Sequence, residues 1–185
     1  LLMGYRHHRG YVILNLRKTQ AIFIGGVMFD FSLLKDSMDT MLSQGALLSS
    51  GDNIMTTGWG LVGNMWRKKV VLIPVRLSRY THKFIEETGE FTLSVPKEGE
   101  LKDAIKICGT LSGRDTDKWT AAGLRKQPAR TVQGYVVGDA KTVFECRVLT
   151  TISMFGADIS SMSIWYQNGD LHDLYFAEVV DEYEL

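Results

Sequence analysis

The sequence predicts a mainly β fold, a β-barrel carrying short inserted helices, on three observations. Apolar stretches of strand length recur along the chain. The helical patterns between them are short and stop at glycine. Three polar, glycine-containing clusters fall at strand ends or helix starts: NIMTTGWG at residues 53–60, RLSRYT at 76–81 and CGTLSGRDTDKW at 108–119.

Taken in order, residues 11–16 and 21–24 are short apolar stretches flanking polar residues 17–20, which suits a hairpin. Leu34, Met38, Met41 and Leu42 then recur at three- and four-residue spacing, with Gly45 as a stop. Residues 70–77 are almost continuously apolar, as in a strand covered on both faces. Residues 81–88 predict a short helix ended by Gly89, and Phe91, Leu93 and Val95 alternate with polar neighbours. Leu101 and Ile105 lay one apolar stripe on another short helix. Asp115 can cap a further helix that carries Lys118, Trp119 and Ala122 before Gly123 stops it. Phe144, Cys146 and Val148 share one strand face and Glu145 and Arg147 the other, and residues 171–180 make a final long strand.

At 185 residues, with 45% hydrophobic and 23% charged residues, one domain with a proper core is expected over residues 1–185. Within it, residues 1–31 read as a strand or hairpin extension of a core at 32–185. Lys plus Arg equals Asp plus Glu at 21 each, so no long-range field favours nucleic acid or an anionic membrane. Any bound anion must be held by local groups. Cys108 and Cys146 have neither CxxC spacing nor the density of a disulfide-stapled domain, which fits a reducing cytoplasm. The apolar runs fall well short of the roughly 20 residues a membrane-spanning helix needs. The start, LLMGYRHHRG, does not read as a signal peptide, and its His7-His8 pair is compatible with a native or an added origin.

Residues 58–63 match GxGxxG letter for letter, yet the dinucleotide fingerprint needs a strand before it and a helix after it, and here a strand follows. Glycines at this place serve close backbone approach to a flat ligand, or a strand kink. In the second cluster Arg76 ends a strand, while Ser78, Arg79 and Thr81 open a helix whose free N–H groups and dipole favour an anion. The plain alternative is Ser78 as an ordinary N-cap with solvated arginines. In the third cluster Gly109, Thr110, Ser112 and Gly113 form a turn with donors, and Arg114, Asp115 and Lys118 add charge at another helix start. Convergence of all three clusters would seat one phosphorylated ligand. Cys108, without a basic partner in the pattern, reads as a buried structural thiol.

The order M-T-x-x-W-G, R-x-S-R-Y-T with F-I-E-E-T-G-E-F-T, then C-G-T-x-S-G-R-D-x-D-K-W resembles the flavin reductase-like family with an FMN-binding split barrel, in its flavoredoxin-type branch. The resemblance covers residues 33–178 and includes Gly169-Asp170-Leu171-His172 and Phe176-Ala177-Glu178-Val179, with Ala177 where that family usually has glycine. It implies a homodimer with FMN bound noncovalently at the subunit interface. By position, Asn53, Met55, Thr56, Thr57, Gly58 and Trp59 would line the isoalloxazine and ribityl chain. Arg76, Ser78, Arg79 and Thr81 would hold the phosphate, and Thr110, Ser112, Gly113, Asp115 and Lys118 would close the pocket. Backbone N–H groups and cations in such a pocket favour the negative charge of reduced flavin.

His172 is the expected catalytic residue, positioning a nicotinamide or moving a proton, against the plainer reading of a strand histidine with an ordinary hydrogen bond. Trp59, Trp66 and Trp165 could each shield a flavin face, although aromatics more often serve the core. The resemblance implies NAD(P)H as hydride donor and free flavin, a ferric complex or a protein as acceptor. Two alternatives stay open: a non-enzymatic electron carrier between protein partners, and a module that binds flavin or haem.

Overall fold

The structure, a computed structural model, describes residues 21–24 and 27–185. The chain runs β1 (Ala21–Ile24), β2 (Val27–Asp30), α1 (Ser32–Gln44), β3 (Ala46–Ser50), β4 (Asn53–Thr57), β5 (Leu61–Met65), β6 (Lys68–Arg76), α2 (Tyr80–Thr88) and β7 (Glu90–Val95). It continues with α3 (Lys102–Thr110), α4 (Lys118–Ala121), β8 (Lys126–Pro128), β9 (Tyr135–Val137), β10 (Thr142–Ser153), a 3-10 helix (Ser160–Trp165) and β11 (His172–Glu184).

Seven strands form one antiparallel sheet in the order β4-β3-β7-β10-β11-β6-β5. The two edges, β4 and β5, do not pair with each other, so the barrel is split. They are nevertheless consecutive in sequence, and Gly58-Trp59-Gly60 carries the chain across the seam. That crossing runs tight against β6. A Cβ on Gly60 would lie 2.9 Å from both Ile73 Cδ1 and the Leu72 carbonyl oxygen. Register shifts between Glu145 and Cys146 and between Val148 and Thr150 bend the long β10–β11 pair around the barrel.

The inner face buries Leu48, Met55, Val71, Ile73, Val75, Phe91, Leu93, Phe144 and Tyr175, and α1 adds Leu34 and Met41. A second cluster lies outside the barrel, where α3, α4 and β9 cover Leu47 and Ile54 with Ile105, Cys108, Trp119 and Val137. The predicted stops hold: Gly45 at φ 96° and Gly89 at φ 65° return their N–H groups to Met41 and Ile85 at 2.9 and 2.8 Å.

Residues 11–16 of the expected hairpin lie outside the described residues, and Ala21–Ile24 pairs with Val27–Asp30. Three expectations are corrected. β7 is buried on both faces, because Thr92 Oγ1 donates to the Tyr135 carbonyl and Ser94 Oγ accepts from Val137 N–H, so β9 covers its polar side. β6 is covered on one face only: Val71, Ile73 and Val75 point inward while Leu72, Pro74 and Arg76 stay partly exposed. The cap of α4 is Asp117, whose Oδ1 accepts from Trp119 N–H at 3.0 Å, whereas Asp115 lies in the preceding turn with its own N–H on the Ser112 carbonyl. No described helix is long and apolar enough to cross a membrane.

Candidate functional site

A cleft of about 180 Å³ opens at the seam, lined by Met55, Thr56, Thr57, Gly58, Trp59, Pro74, Arg76, Arg79 and His172. β4 is an edge strand, so every second backbone N–H and C=O along it points away from β3 and toward the gap. Thr56 is fixed from behind by donating its hydroxyl to the Ile105 carbonyl on α3.

Arg76 and His172 face each other across the β6–β11 pair. The Arg76 guanidinium donates to the Asp170 and Trp165 carbonyls at 2.5 and 3.1 Å and lies 5.4 Å from the Tyr166 ring, which binds the 165–170 turn to the cleft wall. His172 is buried, its Nδ1 is 2.9 Å from the Tyr166 hydroxyl, and its ring lies 5.5 Å from Trp59. Trp59 in turn meets Trp165 edge-on at 5.5 Å. Burial first, then the Arg76 charge and to a lesser degree Arg79, push the His172 pKa down to about 4 against the opposing pull of Asp170. The imidazole is therefore neutral near pH 7.

Arg79 is the N-cap residue of α2, and its Nη1 donates to the Gly109 carbonyl at 2.9 Å. Arg114 reaches back to the Ser78 carbonyl at 3.0 Å with its guanidinium 4.9 Å from the Tyr80 ring centre. These two bonds join the second and third clusters. Gly109 itself is helical, not a turn residue: it packs against β4, where a Cβ would sit 3.4 Å from Thr56.

A second cleft of about 610 Å³ lies beyond this junction, lined by Asp52, Asn53, Tyr80, Phe84, Gly113, Arg114, Asp115, Thr116, Asp117, Lys118 and Lys126. Gly113 has to be glycine there, since a Cβ would come 2.0 Å from Asn53 Oδ1. Lys118 is buried at 4% exposure, donates to the Cys108 carbonyl at 3.3 Å and has no carboxylate partner among the described residues. Burial pushes its pKa down to about 8, with Cys108 opposing and Arg79 adding to the drop. The charge of Arg79, on the wall of the first cleft, thus reaches Lys118 in the second.

Of the sequence-predicted residues, Met55, Thr56, Thr57, Gly58, Trp59, Arg76, Arg79 and His172 meet in the first cleft. Asn53, Gly113, Asp115 and Lys118 meet in the second. Ser78, Thr81, Thr110 and Ser112 line neither. Ser78 gives its hydroxyl and N–H to the Asp170 carboxylate at 2.6 and 3.1 Å. Thr81 is buried and accepts from Asn53 Nδ2 at 2.7 Å. Thr110 returns its hydroxyl to the Lys106 carbonyl, and Ser112 Oγ accepts from Arg114 N–H. Trp66 sits on the β5–β6 turn against Phe176, outside the cleft lining. Cys108 is fully buried and its thiol is pushed up to about 11 by burial, as a structural cysteine should be. Sequence reasoning missed Pro74, Tyr166 and the part played by Asp170. Asp170 stood two residues before His172 in the 169–172 motif, but Tyr166 carries no local signal.

The chain spans 55% of the length of an uncharacterized protein of Archaeoglobus fulgidus, to which it is 33% identical over 100 residues, or 54% of this chain. Among solved structures it resembles the flavoredoxin of Desulfovibrio vulgaris (Miyazaki F), with a TM-score of 0.61 and 22% identity over 76% of this chain and 69% of that one. It also resembles an NADH:FAD oxidoreductase of Streptomyces globisporus, with a TM-score of 0.59 and 16% identity over 77% of this chain and 76% of that one. These likenesses establish the fold as an FMN-binding split barrel. The profile of the flavin reductase like domain matches residues 43–184, which takes in every strand from β3 onward and both clefts. The chain therefore belongs to the flavin reductase-like family, whose membership supports a flavin cofactor and a redox function.

Proposed function

We propose that this protein is a homodimeric, cytoplasmic FMN-dependent oxidoreductase that passes electrons from NAD(P)H to free flavin or a ferric complex. The observation that carries the reading is the seam cleft, where two arginines, a neutral histidine and an exposed tryptophan surround the free edge of β4. The residues fit the group. Among the described residues the Arg79 guanidinium makes a single hydrogen bond, leaving most of its fork for phosphate oxygens. Burial lowers the His172 pKa first, and the Arg76 and Arg79 charges that add to the drop are ones an anion would offset.

FMN, when bound, supplies the hydride and electron chemistry. The chain's part is to hold and orient. Arg79 and Arg76 would hold the phosphate, with the Lys118 charge nearby. The outward N–H groups of β4 would serve the polar edge of the ring system and Trp59, 45% exposed, its apolar surface. His172, neutral and hydrogen-bonded to Tyr166, offers Nε2 to a ring atom or a nicotinamide carboxamide. Ser78 serves indirectly, holding Asp170 and with it the turn that orients Arg76 and His172.

A dimer is supported by the seam's surroundings. The outward faces of β10, β11 and β6 carry Ile152, Leu174, Phe176, Leu72 and Pro74 in register, and Phe155, Ile164 and Trp165 stand exposed beside them. A cleft of about 180 Å³ is also smaller than the ~300–1,000 Å³ of a complete cofactor site. The two buried thiols suit a reducing compartment.

The likeness to flavoredoxin favours a second reading, an electron carrier between proteins with the same FMN and dimer. A visible absorption spectrum of the purified protein, with mass identification of what heat releases, tests the cofactor. Anaerobic stopped-flow mixing then separates the readings: bleaching of bound flavin by NADH or NADPH supports the reductase, and bleaching by dithionite or a reduced protein donor alone supports the carrier. A colourless protein that takes up no added FMN would overturn both.

A further inference from the structure

On the opposite side of β11 from the cleft, His82 and Glu86 lie one helical turn apart on α2, facing Asp173. One ligand atom from each lies within 4.8 Å of the others. His82 Nε2 is already 2.7 Å from Asp173 Oδ2. Glu86 is held by the buried Tyr175 hydroxyl, which donates to Oε1 at 2.7 Å. That arrangement is ordered, and it leaves one group unaccounted for. Asp173 is 9% exposed, and its Oδ1 is buried without a hydrogen-bond partner. A carboxylate oxygen in that position should be satisfied by something.

We propose that His82, Glu86 and Asp173 form a binding site for a divalent first-row transition cation such as Zn²⁺. One imidazole and two carboxylates are a nitrogen–oxygen set suited to such ions, and two negative charges neutralise the cation. The 2.7 Å His82–Asp173 contact is a hydrogen bond that a cation would replace, the two atoms parting to the roughly 3.4 Å that separates tetrahedral ligands with bonds of about 2.0–2.2 Å. Glu86 is exposed and can close on the third position by rotating its free oxygen, while Tyr175 supplies the supporting hydrogen bond that metal-bound carboxylates usually have. The cation would tie α2, whose N-terminus presents Arg79, to β11, which carries His172 next to Asp173. It would thereby cross-link two walls of the flavin cleft without touching the flavin, so the site stands or falls independently of the cofactor.

The test is zinc content after equilibrium dialysis of the full chain with and without Zn²⁺, alongside melting curves and flavin content. The expected result is one zinc per chain, a melting midpoint raised by zinc, and at least tenfold weaker retention in Glu86→Gln and His82→Asn. Glu86→Gln alters an exposed side chain and keeps an oxygen to accept from the Tyr175 hydroxyl, so its melting curve without zinc should stay close to the parent and show that folding is intact. Absence of retained zinc in the parent would overturn the site. So would equal retention in both variants, which would put the metal elsewhere, for instance on His7-His8.

Discussion

Lys118 is a charge in the wrong place for a ligand-free protein. Its residue is 4% exposed, its ammonium meets one carbonyl and no carboxylate among the described residues, and burial lowers its pKa from 10.5 to about 8. Because folding depresses the pKa, the unfolded chain binds more protons between those two values, and stability rises with pH across that window. At 1.36 kcal/mol per unit the full shift corresponds to at most about 3–4 kcal/mol, less whatever solvent screening removes. The penalty is present in full below pH 8 and gone above pH 10.5. The assay is urea unfolding of flavin-free protein at a series of pH values, parent against Lys118→Met, so that other alkaline titrations cancel in the difference. The parent should gain roughly 2–3 kcal/mol on the variant between pH 7 and 10.5. With FMN bound the gain should shrink, since an adjacent phosphate stabilises the ammonium. A difference flat with pH would refute the claim that Lys118 is held desolvated for an anion.

Arg79→Ala should weaken FMN binding roughly ten- to a hundredfold, the equivalent of one charge-assisted hydrogen bond at about 1.5–3 kcal/mol, as read by fluorescence titration. Ser78→Ala should act through Asp170 and the 165–170 turn, and so cost less. Glu145 is fully buried and accepts from the N–H groups of Arg130, Thr131 and Val132 and the hydroxyls of Thr131 and Tyr183. Burial pushes its pKa up, but the hydrogen bonds outweigh that and hold it below the ordinary value. Its contribution is therefore complete above the unfolded pKa and is lost as pH falls through the folded one. Glu145→Gln should destabilise by about 2–4 kcal/mol near pH 7, with a smaller deficit in acid, measured by thermal or urea unfolding.

What could be read from the sequence is what short-range chemistry decides. Gly45 and Gly89 stop helices because the chain there takes positive φ, a property carried by one residue. The GxGxxG decoy at 58–63 fails for the reason its context gave, and the structure makes it the connection across the seam and the start of β5. What escaped is decided at long range. Nothing near Ser78 shows that Asp170, far along the chain, will take both of its donors. Nothing near Thr81 shows that Asn53 will turn it inward. The even apolar run at 70–77 hides that one face is open, because Leu72 and Pro74 are as apolar as the core residues beside them. The cap at Asp117 and not Asp115 is a local competition between like residues, won by the one whose carboxylate reaches both Trp119 N–H and the Thr120 hydroxyl.

The open face of β6 bears on the assembly, and it links two measurements that would otherwise be separate. Phe155 and Ile164 are 83% and 71% exposed, so replacing them by glutamate leaves the protomer's own packing intact. If a second copy completes the seam cleft, Phe155→Glu with Ile164→Glu should yield a monomer by sedimentation velocity. FMN affinity should then fall with it, because the ligand loses one wall and the water-excluded setting that strengthens its contacts with Arg76 and Arg79. By linkage, FMN should also tighten the dimer of the parent protein by the factor with which dimerisation tightens FMN. A monomer that binds FMN as tightly as the parent would separate the two and show that one chain alone makes the whole site. In that case the apolar surface beside Trp59 would be free for a protein redox partner, which is the geometry an electron carrier needs.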